Sequence, residues 1–402
     1  MSKFKFENKN NKVLVFCDYY LPGYKSGGGM RTIVNMIDRL KNNFEFFIIT
    51  RDHDGKLDRE QYKSVKINQW NTVRGAKVFY LSKDNIKTSK LRELIIEIKP
   101  DVVYSNSYFA TFTLYLLMLK RLKLIQQANI ILAPCGELSE GALRINSVKK
   151  TSFIRLAKLS NLYKNIIWKA SSELERDEIE IIKGSGGEIC IAPDILPQTI
   201  FENYNSSIKP AKSIGEVKMI FLSRFMRKKN FKWLLENLTH ISGKLEIDIC
   251  GPLEDAKYWI ECKKIIETLP ENIKVEAKGP VPHEEVVLTL AKYHFFIMPT
   301  LGENFGHIFL ESLAAGCPLI ISDRTPWLGL EEKQIGWDLS LDDPEKWIEK
   351  LNFCIGLSQT SYSILSNKAR DFAVAVLKDK KYEEDTLNVL KRGLEFSLEK
   401  SS

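Results

Sequence analysis

Short, continuously apolar runs recur along this chain, and longer stretches with apolar residues at helical spacing separate most of them. In the first half the runs are Lys12 to Cys17, Glu45 to Thr50, Ala76 to Leu81, Asp101 to Ser105, Asn129 to Ala133, Asn165 to Lys169 and Glu188 to Ala192. Runs that are apolar throughout, with no alternation, suit strands covered on both faces in a parallel sheet. A polar stretch, 197–216, carries few core residues, and the pattern then restarts at Val217 to Ser223. It continues with strands near Leu245 to Cys250, Ile273 to Ala277, Phe295 to Met298 and Pro318 to Ser322. Helices are predicted near Thr32 to Leu40, Asn230 to Thr239, Asp255 to Leu269, His283 to Lys292 and Gly306 to Ala315, and from Asp343 onward the pattern is mainly helical. Such alternation predicts an α/β protein of two Rossmann-like, doubly wound domains with right-handed crossovers. The expected division is 1–196, a linker 197–216, 217–380 and a final segment 381–402, with a ligand cleft between the domains.

Composition narrows the class without changing that picture. A chain of 402 residues with 44% hydrophobic and 27% charged residues is an ordinary soluble globular protein of two or three domains. Met1 to Lys12 is polar and does not resemble a signal peptide. The longest apolar stretch, Tyr108 to Leu119, is well short of the ~20 residues that span a bilayer, so it reads as a core helix. Seven scattered cysteines without a CxxC pair, and five histidines without ligand spacing, point to a reduced, cytoplasmic chain with no metal site. The net charge of +8 is uneven, since Gly141 to Ser172 holds seven basic residues (Arg144, Lys149, Lys150, Arg155, Lys158, Lys164, Lys169) and no acid. With apolar residues between them, these suit an anionic membrane surface or a phosphorylated substrate, and equally a solvated helix. No nucleic-acid motif is present, so a nucleic-acid partner is not expected.

Candidate chemistry concentrates in Thr300 to Pro318, where a strand, a Gly-containing turn and a helix place Glu303 and Glu311 eight residues apart. Glu303 lies in the loop, while Glu311 sits in an apolar segment where an unpartnered charge would cost several kcal/mol. Glu311 therefore either reaches solvent or meets hydroxyl donors, for which a vicinal diol is a good fit. The backbone amides from Phe305 to Ile308 are first-turn donors suited to phosphate or sugar oxygens. Three further segments can join them. Gly27, Gly28 and Gly29 precede a helix and allow close backbone approach to a ligand, although they do not spell GxGxxG. Arg224 closes a strand and Lys229 follows five residues later, a fork and a point charge able to hold a diphosphate. Gly279 and Val281, in a strand end with two prolines, offer a surface for a planar base.

Together, Glu303 and Glu311 in an E-x7-E pattern, Arg224 and Lys229 as Arg-x4-Lys, and the glycine loop occur in the order and spacing that resemble retaining family-4 glycosyltransferases of GT-B fold. The likeness covers most of the chain and is best in its second half. The look is similar to bacterial surface-polysaccharide enzymes, with Ala133 to Leu138, Ala170 to Glu175 and Ser322 to Trp327 as further matching stretches. The resemblance implies that Arg224 and Lys229 stabilise a leaving diphosphate, that Glu311 holds ribose hydroxyls and that Glu303 faces the donor sugar. It implies that Asn304, Phe305 and Gly306 position sugar and phosphate and that Gly27–Gly29 close over the diphosphate; His307 reads equally as a contact to phosphate or sugar and as a structural histidine. The donor would be a nucleoside-diphosphate sugar, with no cofactor or metal. The resemblance further implies that 217–380 is the nucleotide-sugar donor domain and 1–196 the acceptor domain, that the acceptor is a lipid-linked glycan at the inner membrane face, and that the last helix crosses back to the first domain. Two positions depart from the pattern: Cys135 stands where many relatives carry His or Arg, and Asn230 where Gly is frequent. Rival readings are a nucleotide-sugar epimerase, a transferase of soluble sugars, and a non-catalytic glycan-binding subunit.

Overall fold

The computed structural model describes residues 11–398 except 25–26, 56–57, 59, 126–128, 145–146, 185–186, 198–199 and 201–207. Lys25, Ser26, most of the first part of the expected linker, and residues 399–402 thus lie outside the described residues. The chain forms two compact units, residues 1–196 with 380–402, and residues 197–379. Each is an α/β unit built on a parallel sheet.

The first unit contains strands β1 (Lys12–Phe16), β2 (Glu45–Arg51), β3 (Trp70–Val73), β4 (Ala76–Leu81), β5 (Val102–Asn106), β6 (Asn129–Ala133), β7 (Ile167–Ala170) and β8 (Glu188–Ile191). Their order is β3-β4-β2-β1-β5-β6-β7-β8, parallel except for the β3–β4 pair. Its helices are α1 (Gly28–Leu40), α2 (Thr88–Ile98), α3 (Thr111–Arg121), α4 (Glu140–Arg144), α5 (Ser147–Leu159) and α6 (Glu173–Lys183). Alternate residues of β1 feed different cores, because successive side chains of a strand point to opposite faces. Leu14 and Phe16 join a core with α2, α3 and α6. Val13 and Val15 join another with α1 and with Val389 and Leu390 of the final helix, α13 (Lys381–Leu398). That helix comes very close to the sheet at Gly393, where an added Cβ would meet Val102 Cγ2 at 3.0 Å and Ile131 Cδ1 at 3.1 Å.

In the second unit β9 (Glu216–Leu222), α7 (Phe231–Glu236), β10 (Lys244–Cys250), α8 (Ala256–Ile266), β11 (Ile273–Gly279), α9 (Val286–Leu290) and β12 (Phe295–Met298) follow in turn. Then come α10 (His307–Ala314), β13 (Leu319–Ser322), β14 (Gly336–Leu339), α11 (Pro344–Gly356) and α12 (Gln359–Lys378). The sheet runs β11-β10-β9-β12-β13-β14, all parallel. Strand order therefore reverses between β9 and β12, and their carboxyl ends form a topological switch point, the usual ligand position in open α/β sheets.

Several expectations are corrected. Helix α1 begins at Gly28 and not near Thr32, so Gly28 and Gly29 occupy its first turn and only Gly27, at φ 73° and ψ −143°, is loop. Asn230 to Thr239 is broken: α7 covers only six residues, between short 3-10 turns. Residues 208–216 are not a free linker. Lys212 is buried and donates to the carbonyls of Ser213, Ile355 and Leu357, capping the end of α11, and His294 Nε2 lies 3.3 Å from the Ala211 carbonyl. Lys169, counted with the basic face, is buried in β7 and ion-paired with Asp194.

Candidate functional site

The switch point of the second unit is built by three segments. After β9 the chain passes Ser223 and Arg224 and makes a 3-10 turn, Arg227–Lys229. Asn230 ends that turn at φ 57°, the left-handed region. This explains why glycine suits the position and why asparagine is tolerated there. After β12 the loop at Thr300 is tied to this turn, with Leu301 N and Thr300 Oγ1 both donating to the Lys228 carbonyl at 2.9 and 3.2 Å. Ser322 Oγ at the end of β13 donates to the Thr300 carbonyl at 2.6 Å, and Glu303 N donates to the Arg324 carbonyl at 3.2 Å. The loop is thus fixed from both neighbouring strands.

These ties bring Lys229 and Glu303, 74 residues apart, into an ion pair. Both are largely withdrawn from solvent, with side chains 11% and 19% exposed. Burial alone would raise the Glu303 carboxyl, but Lys229, then Lys228 and Arg224, outweigh it and hold the carboxyl below its ordinary value. Arg224 is more open and lies 3.4 Å from both Glu254 oxygens. The result is a locally cationic rim with one ionised carboxylate set inside it.

Gly306 caps α10 at φ 78° and ψ 59°. A Cβ there would meet the Phe309 ring at 2.4 and 2.6 Å and Glu303 Cγ at 3.2 Å, so this turn needs glycine for its conformation and its space. Phe305 is buried and its carbonyl accepts from Trp327 Nε1 at 2.6 Å, which fixes the turn that presents the first amides of α10. His307 stacks edge-on to Phe305 with centroids 5.0 Å apart, and Asn304 is half-buried beside Glu303 in sequence. The α10 amino terminus and the rim cations together suit an anion.

Glu311 projects from the second turn of α10 and is only 8% exposed. His283 Nδ1, on the 3-10 turn before α9, lies 3.9 Å from Glu311 Oε1. Gly279 and Val281 lead into that turn, and a Cβ on Gly279, at φ 85°, would touch nothing within 4 Å. Two groupings follow, one of Arg224, Lys229 and Glu303, the other of Glu311 with His283. The sequence pattern did not single out His283; its only signal was position, at a turn after two prolines.

In the first unit Gly27 precedes α1, and Asn106 Nδ2 at the end of β5 donates to the Gly29 carbonyl at 3.3 Å. Cys135 adopts φ 56° just after β6, and its Sγ lies 3.0 Å from Asn106 Oδ1. Burial, and then Glu175, push its thiol well above the ordinary range.

Residues 205–367 match the family model described as glycosyl transferases group 1. No curated protein matches the chain. Among solved structures, the sucrose-phosphate synthase of Thermosynechococcus elongatus superposes with a TM-score of 0.71 at 14% identity, covering 98% of this chain and all of its own. The Anabaena protein HepE, in complex with UDP and glucose, gives 0.69 at 12% identity over 95% of this chain and all of its own. WaaG, a glycosyltransferase involved in lipopolysaccharide biosynthesis, gives 0.63 at 13% identity over 94% of this chain and 98% of its own. Over residues 205–367 the chain is thus similar to glycosyl transferases of group 1, and its two parallel-sheet α/β units have the fold seen in GT-B glycosyltransferases.

Proposed function

We propose that the protein is a retaining glycosyltransferase of the family-4 type that moves a hexose-type sugar from a nucleoside-diphosphate sugar to a glycan acceptor. The observation that carries this reading is the Lys229–Glu303 pair at the amino terminus of α10, with Arg224 on the same rim. As the glycosidic bond of the donor breaks, negative charge grows on the diphosphate and positive charge on the anomeric carbon. Arg224, Lys229 and the α10 amides meet the first, and Glu303 faces the second. Glu311 takes the ribose hydroxyls, with Gly279 and Val281 beside the base. The cations do the work that a metal does in other transferases, so the reaction is metal-independent. Departure of the diphosphate and attack by the acceptor hydroxyl on the same face, with the hydroxyl proton passing to the departing diphosphate, retain the anomeric configuration without a covalent enzyme intermediate. The likeness to HepE, described with UDP and glucose, supports a nucleotide-sugar donor.

The likeness to WaaG supports a lipid-linked acceptor in surface-polysaccharide synthesis. On α5 the residues Val148, Arg155, Leu156 and Leu159 share one exposed helical face, with Lys149 and Lys158 flanking it. This mixture of apolar and basic side chains suits peripheral contact with an anionic inner membrane leaflet. Among the described residues, no helix is long and apolar enough to cross a membrane.

A panel of UDP-, GDP-, ADP- and dTDP-sugars, read by thermal shift and then by donor turnover with and without chelator, tests the reading. At least one nucleotide sugar should raise the melting temperature, and turnover should survive chelation and fail in Glu303→Gln. The reading falls if no nucleotide sugar stabilises the protein.

A further inference from the structure

The three most exposed large apolar side chains among the described residues, Leu159 at 81%, Val148 at 78% and Ile181 at 75%, all lie on two neighbouring helices of the first unit, α5 and α6. Leu156 and Leu174, also exposed, are on the same pair. Neither helix is loosely packed. Ile154 and Ala157 of α5, and Ile179 and Ile182 of α6, are buried in the core beneath them. The exposed residues form the opposite, outward faces, where large apolar side chains left in water forgo the gain of burial. Single exposed apolar residues are unremarkable, whereas a group of them marks an interaction surface.

The two faces carry opposite charge. Helix α5 sets Lys149, Arg155 and Lys158 among its apolar residues, and the segment 141–172 holds no acid. Helix α6 sets Glu173, Asp177 and Glu180 around Leu174 and Ile181, and the side chain of each acid is more than half exposed. Arg176 pairs with Glu173 and Asp177, and Lys183 with Glu180, but exposed pairs of this kind hold their partners weakly. Each helix repeats one pattern, a charge followed four residues later by an apolar residue: Arg155 and Leu159 on α5, Asp177 and Ile181 on α6. The helices are also in step. α5 links β6 to β7 and α6 links β7 to β8, neighbouring parallel strands, so both helices run against the strands and point the same way. Lys158 Nζ donates to the Ile181 carbonyl at 2.7 Å, which sets Lys158 level with the last turn of α6. Arg155 is then level with Asp177, and Leu159 with Ile181.

We propose that α5 and α6 form a self-complementary surface through which two copies of this chain associate. A two-fold axis running between the helices, parallel to them, lays α5 of each copy on α6 of the other. Level residues then meet across the interface, Arg155 against the partner's Asp177 and Leu159 against the partner's Ile181, and symmetry makes each contact twice. The charge pattern selects this occupant. An anionic leaflet matches α5 but is repelled by the acids of α6, and a basic partner meets the converse difficulty at α5. A second copy satisfies both helices at once. The dimer goes beyond the transferase reading and does not depend on it. It covers the α5 face assigned above to the membrane, so the dimer and the membrane-bound monomer exclude one another.

Sedimentation velocity on the full chain, from about 1 to about 100 µM, measures the association. Wild type should form a dimer within that range. Arg155→Glu places like charges at both contacts of the dimer, and so does Asp177→Arg. Each should raise the dissociation constant about tenfold or more, with the circular dichroism of the fold unchanged. Mixing the two variants restores opposite charges at both contacts, as does combining the two changes in one chain; either should return to within about threefold of wild type. A general loss of structure would give no such rescue. A wild type that stays monomeric, a dimer indifferent to both single changes, or weakening without rescue each overturns the proposal. Co-sedimentation with phosphatidylglycerol vesicles is read in parallel on Asp177→Arg, whose α5 is intact. Freed of its partner, this variant should bind at least as well as wild type, and weaker binding would break the exclusion between dimer and membrane. Vesicle binding by a wild type that does not dimerise sinks the dimer alone, and a rescued dimer without any vesicle binding sinks the membrane reading instead.

Discussion

Replacing Lys229 by alanine isolates the interaction on which the donor site is built. The change leaves the Glu303 carboxylate partly buried, at 19% exposed, without its nearest cation. Removing one partner of a fully buried pair costs about 3–5 kcal/mol. Here the pair retains some solvent, and Lys228 and Arg224 still act on Glu303, so about 2–3 kcal/mol is expected at neutral pH. For a unit of this size that corresponds to a fall of roughly 5–10 °C in melting temperature. The pH dependence gives a second, independent check. In the wild type the Glu303 carboxyl is held below its ordinary 4.5, so its contribution is fully present above that value and is lost as pH falls through the lower folded value. In Lys229→Ala the carboxyl protonates more readily and relieves the penalty. The difference between the two proteins should therefore be largest at neutral pH and shrink as pH falls through the range in which the variant's carboxyl, and then the wild type's lower-titrating one, take up a proton. Calorimetry from pH 7 down to the lowest pH at which unfolding stays reversible measures both. A melting temperature within about 1 °C of wild type at pH 7, or a difference that grows on acidification, would refute the argument.

Gly306→Ala should lower stability by about 2–4 kcal/mol through left-handed strain plus the overlap with Phe309, and weaken any bound nucleoside diphosphate; denaturant titration and calorimetric titration read the two effects. His294 is buried, accepts from Lys218 N at Nδ1 and is pushed by burial down to about 4 from 6.5, so it folds neutral. Stability should consequently fall as pH drops from about 6.5 towards 4, by up to roughly 1.4 kcal/mol per pH unit, and His294→Gln should flatten that slope in urea unfolding. Lys169→Met strands Asp194 in the first unit's interior and should cost about 3–5 kcal/mol; a loss below 1 kcal/mol would mean that Thr32, whose Oγ1 donates to Asp194 at 2.7 Å, suffices. Neutralising Lys149, Arg155 and Lys158 should release the protein from anionic liposomes at low salt, and unchanged co-sedimentation would exclude α5 as the contact.

Most strands were legible because a strand covered on both faces is apolar along its buried span, as Val13–Phe16 of β1, Phe46–Ile49 of β2 and all of β12 are. The two that escaped have physical reasons. β3, Trp70-Asn-Thr-Val73, is a half-exposed antiparallel edge strand, and β14, Gly336-Trp-Asp-Leu339, is four residues with Asp338 turned to accept from Gly329 and Leu330 N. In the donor site, Glu303, Glu311, Arg224 and Lys229 stand out by residue type and spacing, but their pairing does not. Lys229 meets Glu303 because β9 and β12 are sheet neighbours, a fact of topology that no local window contains. Lys169 was misplaced for a similar reason, since its partner Asp194 follows a different strand.

The way the chain is threaded has a consequence for how the molecule can be taken apart. Residues 197–379 are one uninterrupted passage, whereas the first unit is made of two pieces, since α13 returns to seal one face of its sheet. Ending the chain after residue 196 would uncover Val102 and Ile131 where Gly393 now lies against them, and would leave an aggregation-prone fragment. Excision of 197–379 removes no such cover from the second sheet. The second half is therefore the transplantable cassette, and recombination between relatives should exchange it whole while the first half and its closing helix are inherited together.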